Sequence, residues 1–274
     1  MLTLSQITLS QGLVALLVLC RVAALVAIAP AFGAFVLPAR IRLLLAAAIT
    51  VVVAPLCVQT GTTLPQGLAG FALLAGGEML IGAVLGLGVA ILMSSALVAG
   101  QLISQLSGVS LSEVLQPESG ESTSAHAQLL YLVALAVYVT LGGQRLLIGA
   151  LLDSFRQLPP GMTASVGSLG ETVLTLVTQS FQLGIRGAAP ALAALLLSTV
   201  AMAIAARSIP QLNVLSLGLG VNSLIAMSVL VASIGLTAHL LGNQLEPTLA
   251  SVLQSITHAG DASNFGEPKM ELPP

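Results

Sequence analysis

Apolar residues fall in six long runs, with the polar residues gathered between them. The runs cover about residues 7–29, 43–58, 68–99, 127–152, 171–206 and 214–241. A helix needs about 20 apolar residues to cross a bilayer. The third and fifth runs are too long for one such span. The fourth carries Gly142-Gly143 before Gln144-Arg145, which predicts a bend or break inside a hydrophobic hairpin. Pro30 to Gly33 and Pro38 end the first helix, and Arg40 and Arg42 precede the second run. These arginines form the densest basic pair and favour the cytoplasmic side. Apart from one central stretch the connections are short. No fixed-period repeat is visible, and no soluble domain fits anywhere. The pattern predicts an all-α polytopic membrane protein of about six hydrophobic, partly broken helices arranged as hairpins. One domain is expected over residues 1–258, followed by a polar, disordered tail over 259–274.

Ionisable residues inside such runs are expensive and face protein or water. Arg21, Glu78 and Arg186 are of this kind. Arg21 and Glu78 lie in different runs, and each requires a buried polar partner, one candidate being the other. Arg186 crosses the middle of the fifth run with Gln179 and Gln182, which predicts a face turned to protein or to a wet channel. Gly82, Gly86, Ala90 and Ser94 recur every four residues, a small-residue stripe that lets another backbone approach closely. The stripe does not say which backbone.

The longest polar stretch, Gln101 to Gln128, contains Glu113, Glu118 and Glu121 and no Lys or Arg. Pro117 and Gly120 forbid one long helix through it. Its first half keeps apolar residues, among them Leu106, Val109, Leu111 and Leu115, spaced by Ser107, Gly108 and Ser110. Two readings stand side by side. One is an extramembrane loop with a short amphipathic helix. The other is a loop that packs inside a protein-lined space and occludes it.

Composition narrows the class. The 274 residues are 56% hydrophobic and 7% charged, whereas a soluble domain carries roughly a quarter charged residues. A net charge of −2 without a basic patch argues against nucleic acid as a partner. Tryptophan is absent and the usual interfacial aromatic belt is missing, as suits a chain wrapped mainly by other proteins. Cys20 and Cys57 occupy separate runs and the three histidines lack ligand spacing, so no disulfide framework, metal or cofactor is expected. The N-terminus lacks a basic n-region, and the first run is expected to be retained. The single lysine, Lys269, lies in the tail, so a phosphate-binding glycine loop has no lysine to work with. An enzyme is not expected.

Two stretches carry a family resemblance. The first is Arg21…Pro30-Ala31-Phe32-Gly33…Leu37-Pro38-Ala39-Arg40-Ile41-Arg42. The second is Arg207…Pro210-Gln211-Leu212-Asn213-Val214…Leu217-Gly218. Between them Glu78, Gly82, Gly100, Gly108, Pro117, Gly142-Gly143, Ser154-Phe155…Leu158-Pro159 and Ala189-Pro190 follow in order. The set resembles the FliR family of flagellar export-gate proteins, whose injectisome counterparts are the SctT proteins. Leu215 and Asn222 stand where that family often has an aromatic residue and a lysine.

The resemblance implies a structural pore subunit of the flagellar type III protein export apparatus. It implies bent helical hairpins built into a helical hetero-oligomer with FliP-like and FliQ-like subunits, and a FlhB-like subunit outside. It implies passage of unfolded substrates and residence in the bacterial inner membrane at the flagellar basal body. The family's central loop closes the idle pore. That role falls here on Leu106, Ser107, Gly108, Val109, Ser110, Leu111, Leu115 and Pro117. The alternatives are an injectisome gate subunit and a secondary transporter; the latter should show an internal repeat.

Overall fold

A computed structural model describes residues 4–30, 32, 38–57, 67–107, 124–162, 166–208 and 214–264. The described residues form seven α-helices: α1 (Leu4–Ile28), α2 (Ala39–Cys57), α3 (Leu68–Ser107), α4 (Ala125–Thr140), α5 (Gly143–Gln157), α6 (Val166–Ser208) and α7 (Val214–Asn264). Five are long and apolar enough to cross a membrane, and α4 and α5, bent by 65° at a short break, together are apolar enough for a broken span or a re-entrant pair. The fold is that of a polytopic helical membrane protein, as the hydrophobic pattern predicted. The predicted break falls at Gly142, whose φ of 72° is left-handed. That conformation is open to glycine and strained for residues with a Cβ.

Three helices outrun their apolar stretches. α3 continues from the end of its run at 99 through Gln101 to Ser107, so the first part of the central polar stretch is helix. Leu and Gln are good helix formers, and Ile103 and Ser107 keep one face buried. Ser107 donates to the Ser104 carbonyl at 2.9 Å, and Leu106 is partly exposed. α7 does not stop at Leu241 but runs to Asn264, through Pro247 and past the expected boundary at 258. Leu241, Leu245, Leu249, Val252 and Ile256 are all buried. Their three- and four-residue spacing is an amphipathic helix, which a fall in hydrophobicity conceals. α6 likewise passes through Pro190.

The chain forms two compact units. The first comprises residues 1–90, 142–176 and 245–274; the second comprises 91–141 and 177–244. In the first unit α1 packs against α2. Leu17, Val18, Val22 and Leu25 of α1 are buried, as are Ile81, Leu85 and Val89 of α3 and Leu147 and Leu151 of α5. In the second, Met93 and Ile103 of α3 are buried, as are Leu130, Ala134 and Tyr138 of α4 and Ala188, Ala191 and Leu195 of α6. Ser124 caps α4, its hydroxyl accepting from the Ala127 amide at 3.3 Å.

Close approach in each unit depends on glycine. A Cβ at Gly82 would fall on the Arg21 carbonyl oxygen, and one at Gly86 would come 3.1 Å from the Leu25 carbonyl. The small-residue stripe of α3 therefore receives α1 of the same chain. Ala90 is half-buried on that stripe, and Ser94, the next member, hydrogen-bonds Ser180 of α6 at 3.0 Å. In the second unit a Cβ at Gly100 would meet the backbone of Ala127.

Candidate functional site

Arg21 sits in the C-terminal half of α1 and is the largest fully buried side chain among the described residues. An arginine there must place every donor. Its Nε donates to Glu78 Oε2 of α3 at 2.6 Å. Nη1 donates to the Ser154 hydroxyl at 3.2 Å and to the Leu158 carbonyl at 3.1 Å, and Nη2 to the same carbonyl at 3.2 Å. The Phe155 ring lies under the guanidinium, 4.3 Å from its carbon to the ring centre, in cation–π geometry.

The end of α5 is shaped for this role. Ser154 passes its own proton to the Leu151 carbonyl at 2.7 Å, leaving a lone pair for Arg21. Leu158 leaves the helix in an extended conformation, so its carbonyl is not consumed by the helix. A guanidinium is the favoured neighbour for such an end, where orphan carbonyls carry partial negative charge. Pro159 then opens a turn in which Gly161 adopts φ 95°, and the Gly161 amide donates to Glu78 Oε1 at 2.9 Å. Both carboxylate oxygens are thus engaged, and Glu78 is 1% exposed.

The cluster ties α1, α3 and the α5 terminus together. Being shut from solvent, it offers no surface to a substrate. Its contacts fasten these three segments of the first unit to one another, as a lock on its fold. Among the described residues no group of three His, Cys, Asp or Glu side chains could hold a metal.

Arg186 differs from the other two. It is exposed on α6, as are Gln179 and Gln182, on the face expected to turn to protein or to a wet channel. The buried side of this part of α6 carries Ser180, Gly184 and Ala188 instead. Of the residues matched to the central loop, only Leu106 and Ser107 are described; Gly108, Val109, Ser110, Leu111, Leu115 and Pro117 lie outside the described residues. So do Gly33, Pro210, Gln211 and Asn213 of the two turn motifs. Pro30 is buried in the turn after α1, while Pro38 and Arg40 at the start of α2 and Arg207 at the end of α6 are exposed.

Residue-by-residue reading did not single out Ser154, Phe155, Leu158 and Gly161 as partners of the buried charges. Their one signal was the place of Ser154-Phe155…Leu158-Pro159 in the family's order. That order extends over most of the chain. Residues 13–248 match the bacterial export proteins, family 1. The chain belongs to this family. It is 29% identical to the flagellar biosynthetic protein FliR of Caulobacter vibrioides, over 82% of this chain and 89% of that protein. Against FliR of Aquifex aeolicus the identity is 28%, over 79% and 83%. The surface presentation of antigens protein SpaR of Salmonella typhimurium is 32% identical over 48% of this chain and 49% of its own length. The chain is accordingly a multi-pass membrane protein of bacterial protein export and a subunit of a type III export apparatus.

Proposed function

We propose that this chain is a structural pore subunit of the flagellar export gate. It assembles with FliP-like and FliQ-like subunits, with a FlhB-like subunit outside, in the bacterial inner membrane at the basal body. Unfolded flagellar proteins pass through the assembly. The observation that carries this reading is the length of the uncovered apolar helices. The apolar stretch of α6 has 37 residues and that of α7 has 38; within an 18-residue apolar segment of each, 17% and 22% of the residues are buried, against 61% in α3. At about 1.5 Å per residue each reaches roughly 55 Å, while the hydrocarbon core is about 30 Å thick. Fitting that length into lipid alone needs a tilt beyond the usual limit of about 40°. Partner helices cover what lipid cannot.

Purification tests the assembly. The tagged chain, extracted from native membranes in mild detergent, should elute with FliP-like and FliQ-like subunits; elution of the chain alone overturns the reading. The segment from Leu106, in the last turn of α3, through Pro117 closes the idle pore by packing. A gap of about 2.7 kcal/mol already holds the open state near 1%, and a substrate can outweigh that with contacts of its own. Deleting Gly108 to Leu115 should leave the complex assembled and raise resting ion conductance. An assembled complex that stays tight makes the loop an ordinary linker. The likeness to SpaR supports an injectisome gate as the second reading, and the neighbouring reading frames decide between the systems.

A further inference from the structure

In the second unit, α6 carries an exposed face that suits neither lipid nor water. Gln182, Ile185, Arg186 and Ala189 follow at i, i+3, i+4 and i+7, so they share one side of the helix. All four are exposed, with Phe181 beside them at 56% exposure and Ile185 at 52%. Farther along the same helix Leu196, Leu197 and Val200 are also exposed. A guanidinium and an amide near the middle of an apolar run are costly in hydrocarbon. A phenylalanine and an isoleucine with several leucines are costly in water. A protein surface can satisfy both sets at once.

The chemistry of that surface follows from charge. The described residues of the second unit, 91–107, 124–141, 177–208 and 214–244, contain no Asp or Glu. Arg186 has no ion-pair partner among the described residues. Its backbone adds a second demand. α6 passes through Pro190, which has no N–H to give the Arg186 carbonyl four residues earlier. One spot on the helix surface thus presents a cation and a carbonyl short of its helical donor.

We propose that this face of α6 docks a membrane helix of a partner subunit that carries an Asp or Glu carboxylate opposite Arg186 within an otherwise apolar contact. A hydroxyl or amide donor beside the carboxylate meets the freed carbonyl. The proposal rests on the assembly reading above and names the partner chemistry at one of its interfaces. Phe181, Ile185, Leu196 and Leu197 supply the apolar area, and Arg186 sets register and partner choice, because a buried charge tolerates few neighbours.

The test uses the full chain with its partners in native membranes. Wild-type co-purification is read first; if the wild-type chain elutes alone, the assembly reading fails and this inference with it. Given wild-type assembly, Arg186→Glu should lower recovery of one partner subunit about tenfold. Arg186→Lys should retain most of it. An Asp or Glu→Arg change in that partner's membrane helix should restore recovery with Arg186→Glu. Restoration separates a broken contact from a misfolded chain. Full recovery with Arg186→Glu overturns this inference and leaves the assembly reading standing. The wet alternative has its own readout. Arg186→Cys, with Cys20→Ser and Cys57→Ser, should resist a membrane-impermeant charged thiol reagent in the assembled complex. Ready labelling there assigns the face to a water-filled passage and also overturns the proposal.

Discussion

Removing one member of the Arg21–Glu78 pair should unfold the first unit far more readily than removing both. Glu78→Ala leaves a guanidinium at 0% exposure with only the Ser154 hydroxyl, the Leu158 carbonyl and the Phe155 ring around it. Arg21→Ala leaves a carboxylate with the Gly161 amide alone and strips the Leu158 carbonyl of two donors. Breaking a buried pair from one side costs about 3–5 kcal/mol, whereas apolar replacement of both partners is often neutral. Much of a typical stability of about 5–15 kcal/mol is at stake in each single variant. Glu78→Gln keeps acceptor geometry for Arg21 and should fall between. Arg21→Met with Glu78→Leu should recover most of the loss, giving strong non-additivity. The chain has no tryptophan, but it has its own reporter. Cys57 is buried in α2 and Cys20 half-buried in α1, both in the unit under test. A thiol-reactive fluorogenic dye added during heating of the purified chain reads their exposure. Single variants that melt within the range of ordinary surface substitutions, about 0.5 kcal/mol, would refute the lock.

Other substitutions probe the backbone. Gly82→Ala drives a methyl group into the Arg21 carbonyl and should cost about 1–3 kcal/mol. Gly76→Ala on the same helix meets nothing within 4 Å and should be neutral or stabilising by about 0.5–1 kcal/mol; equal melting of the two variants would dismiss the close approach of α1. Gly142→Ala has room, its nearest neighbour being Arg145 Cδ at 3.9 Å, so any loss comes from its φ of 72° alone. About 1–2 kcal/mol is expected, with Gly142→Asn milder, since Asn tolerates the left-handed region; an unchanged melting point would show that the α4–α5 break does not need it.

The hydrophobic pattern alone determined that the chain is a helical membrane protein, where its long apolar helices lie, and where the fourth run breaks. These are questions of length, apolar content and glycine, which are properties of a segment by itself. The pattern also marked Arg21 and Glu78 as groups in need of compensation, because the cost of a buried charge does not depend on the fold. Which groups compensate them was decided by tertiary structure. The Leu158 carbonyl and the Gly161 amide are backbone atoms that every residue type shares, and only the turn after α5 brings them to the pair. The stripe at Gly82 and Gly86 announced a close approach, yet its partner, α1, is set by packing. Arg186 reads like Arg21 in the sequence, a cation in the middle of an apolar run. Folding buries one and exposes the other, since burial depends on which side of a helix meets a neighbour.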